Sequence, residues 1–198
     1  MSRQANHDQR RIQIIEATWR IIARGGFAAA TMREIAAEAG FANGGLKHYF
    51  TNKDELLAAA FQRTFYRINE RAALTVGERK GLAAIRCLCL EMLPLDEERT
   101  VESRVTVAFW DRTSVNKQLM KIHADSSAIW RHWMQQHLDL ARADSQLPAD
   151  LSNDQIIDQI LCVTAGLKVI TLPDPKTAYV VDQVAVLDGL LARVALKA

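Results

Sequence analysis

The chain has 198 residues, 49% of them hydrophobic and 24% charged, with a formal net charge of +2, a balance that fits one medium folded domain or two small ones and excludes a disordered chain. No run approaches the roughly 18 apolar residues of a membrane span. The polar opening "MSRQANHDQRR" has no apolar stretch behind it and is not a signal peptide, so no membrane partner and a cytoplasmic location are expected.

The elements read as helices throughout, with no run of alternating strand residues. Ile12, Ile15, Trp19 and Ile22 make a first stripe, stopped by Gly25-Gly26. Thr31 and Glu34 have the spacing of a capping box and start a short second helix, with Ile35, Ala36 and Ala39 facing inward. Gly40, tolerant of a positive φ, breaks it. A third helix is expected from about Ala42 to Phe50, with Leu46, Tyr49 and Phe50 as packing residues. Leu56, Leu57, Ala60, Phe61, Phe65 and Ile68 mark a longer fourth. Leu82, Ile85, Cys89 and Met92 form the next stripe, closed by Pro94, and "LDEERTVESR" is a charged connection or a helix start. Helices follow through "VTVAFWDRTS", from about Asn116, and along the face of Trp130, Trp133, Met134, His137, Leu138 and Ala141. Two last helices, roughly 153–172 and 176–196, flank the breaker "LPDP". The expected fold is all-α, about nine helices: a compact N-terminal trio, then a larger bundle.

Charge divides the same way. Residues 1–53 carry eight Lys/Arg against four Asp/Glu, whereas residues 54–198 carry 17 against 19. A basic head on a mildly acidic body points to a polyanion as partner of the head. Two short helices joined at a glycine-containing turn make a helix-turn-helix, whose second helix enters the DNA major groove while the first crosses the backbone. Glycine at position 44 is expected because a Cβ there would obstruct the approach to the preceding helix and the phosphates. Asn43, Lys47 and His48 are then the base-facing residues; Asn suits adenine and Lys guanine. Thr31, Arg33, Tyr49 and Lys53 are phosphate contacts, which fix register without reading sequence. The competing readings are core packing for Tyr49 and a solvated surface for Lys47 and Lys53.

Helix one ending at "GGF", followed by "ATMREIAAEAGFANGGLKHYFTNKDELLAAAF", resembles the DNA-binding domain of TetR-family transcriptional repressors. Thr31, Ile35, Ala36, Ala39, Gly40, Gly44, Tyr49, Phe50, Lys53 and Leu56 match the family pattern; Ala42 replaces its usual Ser, and Lys47 its common Tyr. The rest is similar to the choline-responsive BetI-type branch through "GLKHYF", "VTVAFWDRT" and "TAGLKVITLPDP", although Ala165 stands where that branch often has Asp. The resemblance implies an N-terminal helix-turn-helix DNA-binding domain, residues 1–54, and an effector-binding and dimerisation domain, residues 55–198. It implies a ligand-responsive repressor that binds a near-palindromic, double-stranded operator as a homodimer and is released by a small-molecule effector. The last two helices would form a four-helix bundle with the partner's pair. Val180, Val184, Leu187, Leu191 and Val194 alternate spacings of four and three and supply the seam, unless they are buried within their own subunit.

Tyr66, Phe109, Trp110, Trp130 and Trp133, with acidic neighbours such as Asp111 and Asp125, could cage an organic cation. Core aromatics or a hydrophobic effector are the alternatives. No catalytic role is expected: no nucleophile elbow, phosphate-binding glycine loop or metal-ligand spacing occurs. His132 and His137, five apart, do not share a helix face, and Cys87 and Cys89 point to opposite sides of theirs. Neither a cofactor nor a metal is called for. The other non-enzymatic reading is an architectural or partner-binding DNA-binding protein without an effector, which a body lacking any pocket would favour.

Overall fold

The computed structural model of the chain describes residues 3–42, 44–172 and 181–195. Among these the structure is helical and without strands: α1 Arg3–Ala29, α2 Met32–Glu38, a 3-10 turn Gly45–His48, α3 Lys53–Val76, α4 Gly81–Met92, α5 Glu97–Thr113, α6 Lys117–Ala143, α7 Asn153–Thr171 and α8 Gln183–Val194. The helix expected over 42–50 is that short 3-10 turn. Two glycines in succession are poor helix formers, and Gly44 sits at φ 89°, outside the helical region. The charged stretch "LDEERTVESR" lies largely inside α5, and the two helices expected between 116 and 141 are one, α6.

The chain divides into two compact units, residues 1–65 with 104–122 and residues 66–103 with 123–198. Packing therefore groups the first part of α3 and the second part of α5 with the N-terminal helices. In the first unit the core joins Ile14, Ile21 and Ile22 of α1 to Ile35 and Ala36 of α2, Leu46 and Phe50, Leu56, Leu57 and Phe61 of α3, and Val105 and Phe109 of α5. The buried stripe of α1 runs through Ile14, Ala17, Thr18, Ile21 and Ile22, whereas Ile12, assigned to the stripe from sequence, is 38% exposed. Gly26 (φ 70°, ψ 179°) kinks α1 before its last turn, which is how the Gly pair ends the straight run. Arg104 of α5 donates to the Ala23 carbonyl at 2.6 Å, and Arg63 of α3 pairs with Glu16 of α1.

In the second unit α4 packs against α7 and α8, and α7 against α8. Ala84, Ile85, Leu88 and Cys89 of α4 are buried, as are Met134, Leu138 and Ala141 of α6, Ile156, Ile157, Ile160 and Leu167 of α7, and Leu187, Leu190, Leu191 and Val194 of α8. A charged group is buried with them. Arg71 of α3 donates two hydrogen bonds to Glu102 of α5, at 2.8 and 2.6 Å, and a third to Glu91 of α4 at 3.1 Å. Glu102 is 1% exposed and Lys168 of α7 is 4% exposed. Burial pulls the Lys168 ammonium down to about 8, with Glu102 and Cys89 opposing that pull; burial likewise pushes the Cys89 thiol up to about 12.

Candidate nucleic-acid interface

Thr31 and Glu34 form the capping box read from the sequence. The Glu34 amide donates to the Thr31 hydroxyl at 3.2 Å, and Glu34 accepts from the Thr31 amide at 3.2 Å and from its hydroxyl at 2.7 Å. These bonds hold the Glu34 carboxyl below its ordinary value. The box starts α2 sharply after the kinked end of α1 and leaves Arg33, in the first turn, exposed. The Phe41 amide then donates to the Ala36 carbonyl at 2.8 Å, turning the chain out of α2.

The 3-10 turn Gly45–His48 that follows is short and held at both ends. Leu46 is buried, and its carbonyl accepts from the amides of Tyr49 and Phe50, each at 2.8 Å. A Cβ on Gly44 would meet nothing within 4 Å, so crowding within the chain is not what calls for glycine there. The positive φ is the reason, and it corrects the expectation of a close approach as far as the protein itself is concerned. A Cβ on Gly45 would make ordinary contact with Phe41 at 3.5 and 3.6 Å. Lys47 and His48 are exposed, and no carboxylate pairs with either, or with Arg33, among the described residues. Asn43 lies outside the described residues.

Tyr49 is half-buried, stacked on His7 of α1 at 4.9 Å between ring centroids and edge-on to Phe41 at 5.5 Å. Its carbonyl accepts from the Arg11 guanidinium, which also lies 4.2 Å from the centroid of the Phe50 ring. Lys53, the first residue of α3, reaches back to the end of α1: its Nζ donates to the Phe27 carbonyl at 2.7 Å and sits 3.9 Å from the Phe27 ring centroid. Burial, then the nearby Arg112, holds the Lys53 ammonium below its ordinary value. The ammonium retains two further donors. Three other cations of this unit are held in ion pairs: Arg20 and Arg24 on Glu38 at 2.8 and 2.6 Å, and Arg112 on Asp54 at 2.9 Å. Sequence reading missed His7, Arg10, Arg11 and Phe41. The first three are spaced for one helix face, a signal masked by the apolar stripe of the same helix.

The five aromatics expected to cage an effector do not all lie in one unit. Phe109 is fully buried in the first, stacked at 3.9 Å and 5° on Phe61, and Trp110 is half-buried there. Phe109 is therefore a core ring. Tyr66, Trp130 and Trp133 lie in the second unit, Tyr66 65% exposed, Trp130 buried, and Trp130 edge-on to Trp133 at 6.4 Å. Of the seam on α8, Leu187, Leu191 and Val194 are buried and Val184 partly buried within their own chain; Val180 lies outside the described residues. The alternative of burial within the subunit holds for those three. The opposite faces carry the exposed apolar groups: Val169 at 51% and Ile170 at 50% on α7, and Val186 at 39% on α8, with Cys162, Gly166, Ala185 and Ala192 also exposed. No helix among the described residues is long and apolar enough to cross a membrane.

Comparison with known proteins joins these parts. Residues 14–60 match the family described as bacterial regulatory proteins, tetR family, and residues 82–196 match the BetI-type transcriptional repressor C-terminal family. The chain is 40% identical to the transcriptional regulator PksA of Bacillus subtilis over 110 residues, 55% of this chain and 54% of that protein. It is 29% identical to BetI of Yersinia pestis over 118 residues, 57% of this chain and 59% of that protein. The chain thus spans about half the length of the curated relatives it matches. A transcriptional regulator of Saccharomonospora viridis, solved in complex with choline, has the same fold, with a TM-score of 0.86 at 19% identity over 96% of this chain and 100% of that one. FadR of Bacillus subtilis, solved with stearoyl-CoA, gives 0.71 at 19% identity over 91% and 95%. Regulators of this family are DNA-binding proteins rather than enzymes. By the residues matched, which cover more than half its length, this chain belongs to the TetR family of bacterial regulators, with a C-terminal part of the BetI type.

Proposed function

We propose that the chain is a ligand-responsive transcriptional repressor that binds a near-palindromic operator as a homodimer in the cytoplasm. Residues 1–54 carry DNA recognition and residues 55–198 effector binding and dimerisation. The observation that carries this reading is the state of the cations. Arg33, ahead of the Gly45–His48 turn, and Lys47, within it, are exposed and without a carboxylate partner among the described residues, while Arg20, Arg24, Arg63 and Arg112 are held in ion pairs. Unpaired cations beside a groove-sized element suit phosphates and base edges. Lys47 and His48, with Asn43, read bases; Thr31, Arg33, Gly44, Tyr49 and Lys53 contact or approach the backbone.

The homodimer joins through the outward faces of α7 and α8, where Val169, Ile170 and Val186 stand exposed. A twofold pair of reading heads calls for a twofold operator. The effector, a choline-like cation or a hydrophobic compound, engages the second unit near Tyr66, Trp130 and Trp133 and shifts the dimer toward a conformation that does not bind DNA. Relatives of the same fold solved with choline and with stearoyl-CoA support both ligand classes. Selection of bound duplexes from a random-sequence pool tests the reading. Enrichment of a near-palindrome is expected, and a pool that stays random after repeated rounds rejects it.

A further inference from the structure

The part of α1 that precedes the matched family segment is not an inert lead-in. His7, Arg10 and Arg11 are spaced three and four apart, so they share one helix face. Each touches the reading segment or its approach. The His7 ring stacks on Tyr49, Arg11 bonds the Tyr49 carbonyl and lies over Phe50, and Arg10 lies 5.3 Å from the centroid of the Phe41 ring. Phe41 in turn packs on Tyr49 and abuts Gly45. Arg11 is partly buried by this arrangement, but Arg10 is exposed, and among the described residues no carboxylate pairs with it. Asp8 lies beside His7, 3.7 Å from its Nδ1, and two positions from Arg10, toward the other side of the helix.

We propose that residues 7–11 of α1 form a second DNA-contacting element, in which Arg10 binds a backbone phosphate beside the groove occupied by the reading segment and Arg11 is a positioning residue for Tyr49 and Phe50. A groove that receives Gly45–His48 is walled by phosphates. A guanidinium held against Phe41 stands next to that segment, and its planar fork suits a phosphate oxygen pair. Stacking on an aromatic ring keeps the side chain extended without neutralising its charge. The inference rests on the DNA-binding reading above and adds to it a contact outside the helix-turn-helix.

The test is the salt dependence of affinity for a duplex chosen by the protein from a random pool, measured by fluorescence anisotropy for wild type, Arg10→Ala, Arg10→Lys and, as a control on an exposed lysine of the other unit, Lys80→Ala. Loss of one phosphate contact lowers the slope of log K against log salt by about 0.9. The expected result is that fall for Arg10→Ala, a slope near wild type for Arg10→Lys and for Lys80→Ala, and unchanged melting temperatures throughout. If wild type binds and Arg10→Ala keeps its slope, this inference is overturned while the DNA reading stands. If wild type itself binds no duplex, the DNA reading falls and takes the inference with it. Arg11→Ala supplies a second readout: lost preference for the chosen duplex over a scrambled one, with a slope drop no larger than that of Arg10→Ala, supports positioning, and retained preference counts against it.

Discussion

Replacing Lys168 by methionine should stabilise the protein, and the gain should vanish at high pH. Lys168 is 4% exposed, and burial holds its proton at about 8 against an ordinary value of 10.5. That difference corresponds to a cost of about 3 kcal/mol to the folded state. Below pH 8 the amine is protonated in both folded and unfolded chains, so the full cost applies. Between 8 and 10.5 the unfolded chain holds the proton and the folded chain does not, so wild-type stability rises with pH. Above 10.5 the cost is gone. Methionine has similar length and no charge, and Glu102 keeps its two bonds from Arg71. The variant should therefore gain about 3 kcal/mol at pH 7, or about 6–12 °C in melting temperature for a chain of this size. Thermal unfolding by circular dichroism at fixed protein concentration, from pH 7 to 11, measures it. A Lys168→Met protein that melts below wild type at pH 7, or a gap that does not narrow between pH 8 and 10.5, refutes the reasoning and makes the ammonium a net stabilising partner of Glu102.

Gly44→Ala forces a Cβ into φ 89° and should cost about 1–2 kcal/mol, seen as a melting temperature lower by about 2–8 °C. Gly45→Ala meets only ordinary contact with Phe41 and should melt as wild type does; equal losses at both positions would contradict the backbone explanation. Ile170→Glu changes a side chain that is 50% exposed, so it should leave folding within about 0.5 kcal/mol yet weaken self-association in sedimentation equilibrium. An unaltered dimer constant would remove α7 from the interface. Choline, titrated into the complex with a selected duplex, should lower affinity and alter Trp fluorescence if the effector is an organic cation. Inertness to choline together with release by a long-chain acyl compound would assign the hydrophobic class.

The local signals in the sequence carried far. The Thr31–Glu34 spacing yields a real capping box, the stripe of α3 (Leu56 to Ile68) is buried as read, and on the face read for α6 Trp130, Met134, Leu138 and Ala141 are buried and Trp133 and His137 partly so. These are short-range patterns set by backbone periodicity. What failed depends on neighbours that are distant in sequence. The four-and-three spacing on α8 marks a packed seam but not whose helices fill it, and Leu187, Leu191 and Val194 are buried within their own chain. Nothing in the local sequence around Lys168 shows that Glu102 and Cys89 lie near it in the fold. The helix expected over 42–50 shortens to a 3-10 turn because the Gly-Gly pair does not hold a helix: Gly44 sits at φ 89° and the turn begins after it. The face of His7, Arg10 and Arg11 was legible as spacing, but its meaning came only with the rings it touches.

The most direct test of the account is the composition and selectivity of the protein–DNA complex measured together. Sedimentation of the purified protein with a selected duplex, in excess scrambled competitor, should give two protomers per near-palindromic duplex, with Lys47→Ala losing that preference while keeping its fold. A monomeric protein that partitions equally between selected and scrambled duplexes would contradict the central claim.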